Sequence, residues 1–477
     1  MSTTTTVEVQ TIAQEDRPAG VSPIARILGR TVFLALLCLI VLTAIPYGTT
    51  QVWWKAAFIC IVFVLAILWL IEGSISRSWF VDSWPLALPL VALAIFSLLQ
   101  TLSRGSVTSN PGGIGFAPWN AISADPYQTR FFALQLLALI VTGVLLNRYV
   151  RSEKRFRIAI NLVIFVAVAS SVFGILRQTT QYNVGSLLPL APDIGYGQFI
   201  NKNHFAYLME MTFGLILGLI LGGGVKRDQA LIYFAALMPV WIGLVLCNSR
   251  GGLVAMLAQI IVAALLLNAV ARKSRSSAAE SRIFRLLQSL PVRVVLLLVL
   301  IVGVVFGTVW LGGDRLATRI EDRTELNADV EGLRLGASRN EIWRATWRMC
   351  ATHSVLGIGM GGYWAAIPAY HDASGSLTPQ EAHNDYLELL ASGGLVGLAL
   401  AIWFAVVVLK RTRENLAARN RFRRAACLGA AIGIAGVAVH SLVDFGLHTI
   451  VNALVFTTLI VIATSKPQWG NEPTRVQ

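Results

Sequence analysis

Charge is scarce in this chain: Asp, Glu, Lys and Arg make up 13% of its 477 residues, against 55% hydrophobic. So little charge, with apolar runs of roughly 18 to 22 residues, excludes a soluble domain. Strict apolar/polar alternation is missing too, which excludes a β-barrel. The five cysteines, Cys38, Cys60, Cys247, Cys350 and Cys427, are scattered, with no CxxC pair and no zinc spacing. They read as small buried hydrophobes and exclude a disulfide framework. No cleavable signal is expected either, because Met1 to Val21 is polar and threonine-rich and the first apolar run opens only near Ile27. Nor do the loops expected on the outer face carry a DxD-like acidic pair, since Asp314 and Asp322 stand isolated among other charges. The net charge of +14 suggests nucleic acid at first sight, yet the basic residues fall mainly between apolar runs. Orientation in a membrane and contact with anionic headgroups explain them better, and no nucleic-acid partner is expected.

What is present is an all-α polytopic membrane protein. Apolar runs begin near Ile27 and recur at about 52–71, 84–102, 131–147, 156–176, 204–223, 230–247, 251–270, 291–311, 385–409, 425–443 and 449–465, making about twelve spans. Residues 1–26 are expected to form a disordered tail, 27–311 the first nine spans, 312–384 a large loop with an amphipathic helix, 385–465 the last three spans and 466–477 a second tail. Basic clusters at Arg148 to Arg157, Lys226–Arg227, Arg272 to Arg285 and Lys410 to Arg424 occupy alternate connections. Counting from an inside N-terminus puts all of them, with both termini, in the cytoplasm. The same count places the long loop, the Asn248 to Gly252 connection, residues 178–203 and the Asp444 to His448 turn on the outer face.

The long loop is where chemistry concentrates. Ser338 and Glu341 are spaced as a capping box, so a helix should start there and carry Arg339, Arg344 and Arg348. Their guanidinium forks suit phosphate oxygens. Past a glycine turn at 357–362 comes Glu381-Ala382-His383-Asn384-Asp385-Tyr386, at the entrance of the next apolar run. An imidazole there could accept a proton from a hydroxyl, whereas the plainer reading has His383 and Asn384 capping the helix. Arg250 stands between two spans with almost no loop around it, which points to function or to snorkelling. Asn201, Asn203 and His204 gather at another helix start. Finally His440, Asp444 and His448 are spaced four apart and would share one face if their helix continued. Asp444 would then pair within the helix or orient a catalytic group.

Taken in order, NKNHFA, NSRGG, SRNEIW, SVLGIGMGG, AHNDYLELLASGGLVG and HSLVDFGLH resemble the bacterial O-antigen ligase and polymerase family over roughly 195–452. The chain departs from it at Ser354, where the family usually has proline before its glycines. The resemblance implies a GT-C-type glycosyltransferase of the inner membrane, with the large periplasmic loop between the ninth and tenth spans. Its donor would be a glycan linked to undecaprenyl diphosphate, and its acceptor another glycan or lipid A-core, as in O-antigen, lipopolysaccharide or exopolysaccharide biosynthesis. The family's two essential arginines carry onto Arg250 and Arg339, and its catalytic histidine onto His383. Asn201, Asn203, His204, Arg344, Arg348, Asn384 and Asp444 complete the expected set as substrate-binding residues. Transfer would be inverting and independent of metal or other cofactor, with the arginines balancing charge on the leaving phosphate. The rival class is a transporter or flippase of a lipid-linked or polyanionic solute. Against it, the two halves of the chain show no repeat.

Overall fold

The computed structural model describes residues 22–79, 83–103, 119–180, 195–274, 339–371 and 379–466. Among these residues the chain is helical, and β-pairing is limited to the isolated bridges Ser103–Ala121 and Tyr196–Phe199. The helices are α1 (Pro23–Ala44), α2 (Val52–Ser76), α3 (Trp84–Gln100), α4 (Pro126–Tyr149), α5 (Glu153–Thr180), α6 (Lys202–Leu221), α7 (Arg227–Leu246) and α8 (Arg250–Ser274). After the gap come α9 (Arg339–Thr352), the short α10 (Tyr363–Ala366), α11 (Asp385–Asn415), α12 (Arg421–His440) and α13 (Ile450–Thr464). Nine of the described helices are long and apolar enough to cross a bilayer, and α3 and α13 are apolar but shorter. All the expected spans but one therefore coincide with helices. The expected ninth span at 291–311, the loop through Ser338 and most of both tails lie outside the described residues.

Helix α1 starts at Pro23, inside the stretch expected as tail, and α4 starts at Pro126, capped by the Asp125 carboxylate, which accepts from Gln128 N at 3.0 Å. Proline at the first helical position is pre-set for the helix and lacks only an orphan N–H. Hydropathy marks where a helix meets lipid, so it misses such polar first turns.

At the centre stands α6, with 89% of its apolar window buried, packed along α12. A Cβ added to Gly218 would meet Gly429 Cα at 2.1 Å, so the two backbones touch where side chains would hold them apart. Small residues at a helix crossing are how membrane helices gain packing contact without a hydrophobic drive between them. At one end of this pair Arg157 lies 3.6 Å over the Phe422 ring, which brings two of the basic connections to the same end of the molecule. The starts of α6, α8 and α11 gather at the opposite end, around the turn that follows α12.

That end is anchored by a break in α11. Gly394 has φ 60° and ψ −161°, and the turn after α9 fills the gap: Leu395 N donates to Ser354 O at 2.8 Å, and Ile358 N to Ala391 O at 3.0 Å. Gly357, with φ 68°, sits so close that a Cβ would lie 2.3 Å from Ser392 O. Gln100, at the end of α3, donates to Leu356 O at 2.6 Å and Ser392 O at 3.0 Å, and its Oε1 accepts from Met360 N at 3.1 Å. Backbone groups that the broken helix frees at Ala391, Ser392, Leu395 and Val396 thus find partners in the turn, as a low-dielectric setting demands. Ser354, where the sequence departs from the family pattern, uses only its carbonyl here, so the departure leaves the turn intact.

Candidate functional site

Helix α9 lays Ala345, Met349 and Cys350 against Ile358, Tyr363, Ile367 and Ala391, a small core separate from the membrane one. Its first residue, Arg339, thereby faces the turn after α12. That turn exists because α12 ends at His440; Ser441 to Val443 turn, and a short 3-10 segment spans Gly446–His448. The single helix face expected for His440, Asp444 and His448 does not form. Tertiary contacts outweigh helical continuation here: Asp385 N donates to Ser441 O at 2.9 Å, and the Ser441 hydroxyl lies 3.2 Å from that of Tyr207. The three residues consequently enter three different clusters.

Asp444 is the hub of the first. Its side chain is fully buried, and Oδ2 meets Arg339 Nη2 at 3.6 Å and accepts a hydrogen bond from Asn203 Nδ2. Oδ1 accepts from Phe445 N at 2.9 Å and faces His383 Nδ1 at 3.9 Å, a charge contact longer than a hydrogen bond. Burial pushes this carboxyl up, but the His383 ring, the Phe445 N–H and the His204 and His440 rings outweigh it and hold the group below its ordinary value. His383 itself has φ 51°. It does not cap α11; Asn384 does, accepting from Tyr386 N at 3.1 Å and Leu387 N at 3.0 Å. Backbone bonds pin the residue before it: Ala382 N donates to Glu388 Oε2 at 2.8 Å, and Trp343 Nε1 donates to Ala382 O at 3.0 Å. The imidazole is therefore aimed by a strained, over-determined backbone, with its side chain 33% exposed.

His448 forms the second cluster. Its Nδ1 lies 3.3 Å from Glu381 Oε1, and its Nε2 lies 3.7 Å from Asp385 Oδ1 and 3.9 Å from Glu388 Oε1. Burial alone would lower the imidazole; the charge and hydrogen bond of Glu381, with Glu388 and Asp385, raise it to about 10. Burial likewise works against the Glu381 carboxylate, but His448 and Lys55 bring it down to about 2. Donor atoms of Glu381, Glu388 and His448 lie within 4.8 Å of one another, a spacing that could hold a cation. With the ring protonated, however, the imidazolium already supplies the charge that these carboxylates need. The pair's stability contribution has a defined pH window. His448, raised in the fold, contributes fully below its unfolded value of roughly 6.5 and loses that as pH climbs to about 10. Glu381, depressed, loses its share only as pH falls toward about 2. In thermal melts of the solubilised protein, His448→Gln should flatten the decline in stability between about pH 6.5 and 10; an unchanged slope would separate the ring from these carboxylates.

His440 belongs to the third cluster, inside the membrane core: its Nδ1 is 3.0 Å from Glu210 Oε2, and the Tyr207 ring stacks on it at 4.2 Å. Composition hides Glu210, because one carboxylate inside a long apolar run leaves no pattern.

The other expected residues fall as follows. Asn201 caps α6, accepting from Asn203 N at 2.9 Å. His204 is buried behind Phe445, whose ring lies 5.0 Å from it and 4.8 Å from His383. Arg250 is the first residue of α8, with an exposed side chain, and Ser249 caps that helix by accepting from Gly252 N at 3.2 Å. A Cβ at Gly251 would touch the His440 ring at 2.5 Å, so Arg250 stands at the rim of the Asp444 turn. Lys202 joins it there, donating to Asn248 O at 2.9 Å. Arg344 and Arg348 point outward from α9. The structure thus brings Arg339, Asn203, His383 and Asp444 into one constellation, places Arg250 at its edge and leaves Arg344 and Arg348 along a groove beside it. Phe445 and the carboxylates around His448 escaped the sequence reading, although Glu381, Asp385 and Glu388 follow the four-then-three spacing of one helix face.

Residues 233–402 match a family model described as O-antigen ligase. No curated protein matches the chain. The matched segment, which is similar to that family, holds Arg250, Arg339 and His383.

Proposed function

We propose that the protein is a glycosyltransferase that passes a glycan from undecaprenyl diphosphate to an acceptor sugar hydroxyl at the periplasmic face of the inner membrane. The observation that carries this reading is the convergence on buried Asp444 of an imidazole and a guanidinium from different loops. With Nδ1 turned to the carboxylate, His383 leaves Nε2 for the acceptor hydroxyl, and the carboxylate stabilises the imidazolium that forms on proton transfer. The hydroxyl oxygen bonds to the anomeric carbon as the carbon–phosphate oxygen bond breaks. One such displacement inverts the centre. Charge gathers on the departing diphosphate, where Arg339 and Arg250 stand ready to stabilise it without a metal.

In this reading the long loop is periplasmic, both termini are cytoplasmic, and the chain crosses the membrane about twelve times in a GT-C-type architecture. Polymerisation of a repeat unit, as for O-antigen or exopolysaccharide, and ligation to lipid A-core use the same groups and differ in how the acceptor is seated. A transporter offers no use for an imidazole aimed by a buried carboxylate beside two arginines.

The test is turnover by the purified protein in nanodiscs, supplied with lipid-linked oligosaccharide from the producing cells. Release of undecaprenyl diphosphate together with longer or transferred glycan is the expected result. Translocation of intact lipid-linked sugar, with the sugar–phosphate bond unbroken, would replace this reading with the transporter.

A further inference from the structure

The outward face of α9 carries a regular pattern of aromatic and basic side chains. Asn340, Trp343, Arg344, Trp347 and Arg348 recur at three- and four-residue intervals, and with Leu387 from the first turn of α11 they line an open groove. Trp347 is 63% exposed. An amphipathic helix resting on a bilayer would turn its apolar side to lipid, yet the apolar side of α9 is already buried on protein. The groove face is what remains, and it alternates indole with guanidinium. Among the described residues no acidic side chain lines it.

The groove is also continuous with the site. Trp343, one of its walls, holds the carbonyl of the residue before His383. Arg339, five residues before Arg344, contacts Asp444. At about 1.5 Å of rise per residue, Arg344 and Arg348 lie roughly 7 and 13 Å along the helix from Arg339. That reach is too far for the reacting sugar and fits the sugars next along the chain.

We propose that this groove is a saccharide subsite that takes a pyranose bearing a carboxylate, adjacent to the reacting sugar. The proposal rests on the transferase reading. The C–H face of a pyranose is apolar and slightly positive, and it packs on the electron-rich face of an indole, here Trp347. A ring carboxylate meets the planar fork of Arg344.

The experiment uses the full-length protein in phosphatidylcholine nanodiscs. Its probes are the oligosaccharide released from the cells' own lipid carrier, the same oligosaccharide with its carboxyls reduced to alcohols, and phosphatidylglycerol vesicles. Trp347→Ala and Arg344→Gln should each weaken oligosaccharide binding about ten-fold, the scale of one lost contact, while Trp347→Phe, which keeps a flat ring, retains most of it. Carboxyl reduction should weaken wild-type binding comparably and add nothing to Arg344→Gln. In turnover the two variants should raise KM for the oligosaccharide substrate by a similar factor and leave kcat within about two-fold. Undiminished binding in both variants at normal abundance overturns the subsite. So does an oligosaccharide that carries no carboxylate or ignores its reduction, or a loss confined to vesicle binding, which would make the face a lipid anchor. If wild type binds the oligosaccharide but transfers nothing, the transferase reading falls and the groove stands; if it transfers and the variants match it, the groove falls alone.

Discussion

His383→Asn is expected to reduce glycan transfer by on the order of 10² to 10⁴ in kcat while the protein accumulates normally and still binds its donor. Asparagine is the informative substitution because His383 sits at φ 51°, in the left-handed region that asparagine tolerates among non-glycine residues. Alanine there would add strain of about 1 kcal/mol and blur lost chemistry with lost folding. A cap role cannot account for the result, since the Asn384 side chain already accepts from the first N–H groups of α11. An amide cannot take a proton from a hydroxyl, so substitution removes the base and leaves the backbone undisturbed. Turnover of lipid-linked glycan, measured beside membrane abundance and donor binding, decides the matter. A fully active His383→Asn protein would remove histidine from the mechanism and turn attention to buried His204, behind the same Phe445 ring.

What could be read in advance follows from how far each signal reaches along the chain. Spans were legible because hydrocarbon thickness sets a run length that any twenty apolar residues display. Arg339 and His383 were legible because each is embedded in a short polar motif at the mouth of a helix. Asp444 was legible as a residue but misplaced as geometry. Four-residue spacing implies a shared face only while the helix lasts, and α12 stops at His440 through contacts with Tyr207 and Asp385, both far away in sequence. The break at Gly394 shows the same limit. A glycine pair inside an apolar run reads as a tolerated helix residue, and nothing local reveals that residues 354–359 enter the gap and complete its hydrogen bonds. Glu381, Asp385 and Glu388 could have been paired with a cation from their spacing, yet naming His448 as that cation needs the turn.

Arg339→Lys and Arg250→Lys are each expected to lower kcat by about 10² to 10³ although formal charge is kept, the range found when one preorganised donor to a developing anion is lost. The structure gives the two arginines unequal burdens. Arg339 touches Asp444 through a single Nη2 at 3.6 Å with its side chain 48% exposed, so the rest of its fork remains for phosphate oxygens. A lysine can address the carboxylate or the phosphate as a point charge, and cannot bridge both. Its replacement should therefore also loosen the Asp444–His383 alignment and impair transfer beyond what weaker donor binding explains. Arg250 has no such second duty: exposed at the start of α8 and beside the His440 to Asp444 turn, it should show the loss of phosphate contact alone. The double variant then separates the roles. If both arginines serve the same leaving group, its loss falls short of the product of the singles, because the second lysine removes support from a transition state already poorly held. If the losses multiply, the two act independently, and Arg339 works chiefly through Asp444. Full activity of Arg250→Lys at normal abundance would reduce that residue to a snorkelling anchor and leave the diphosphate to Arg339 and Lys202, which lies at the same rim.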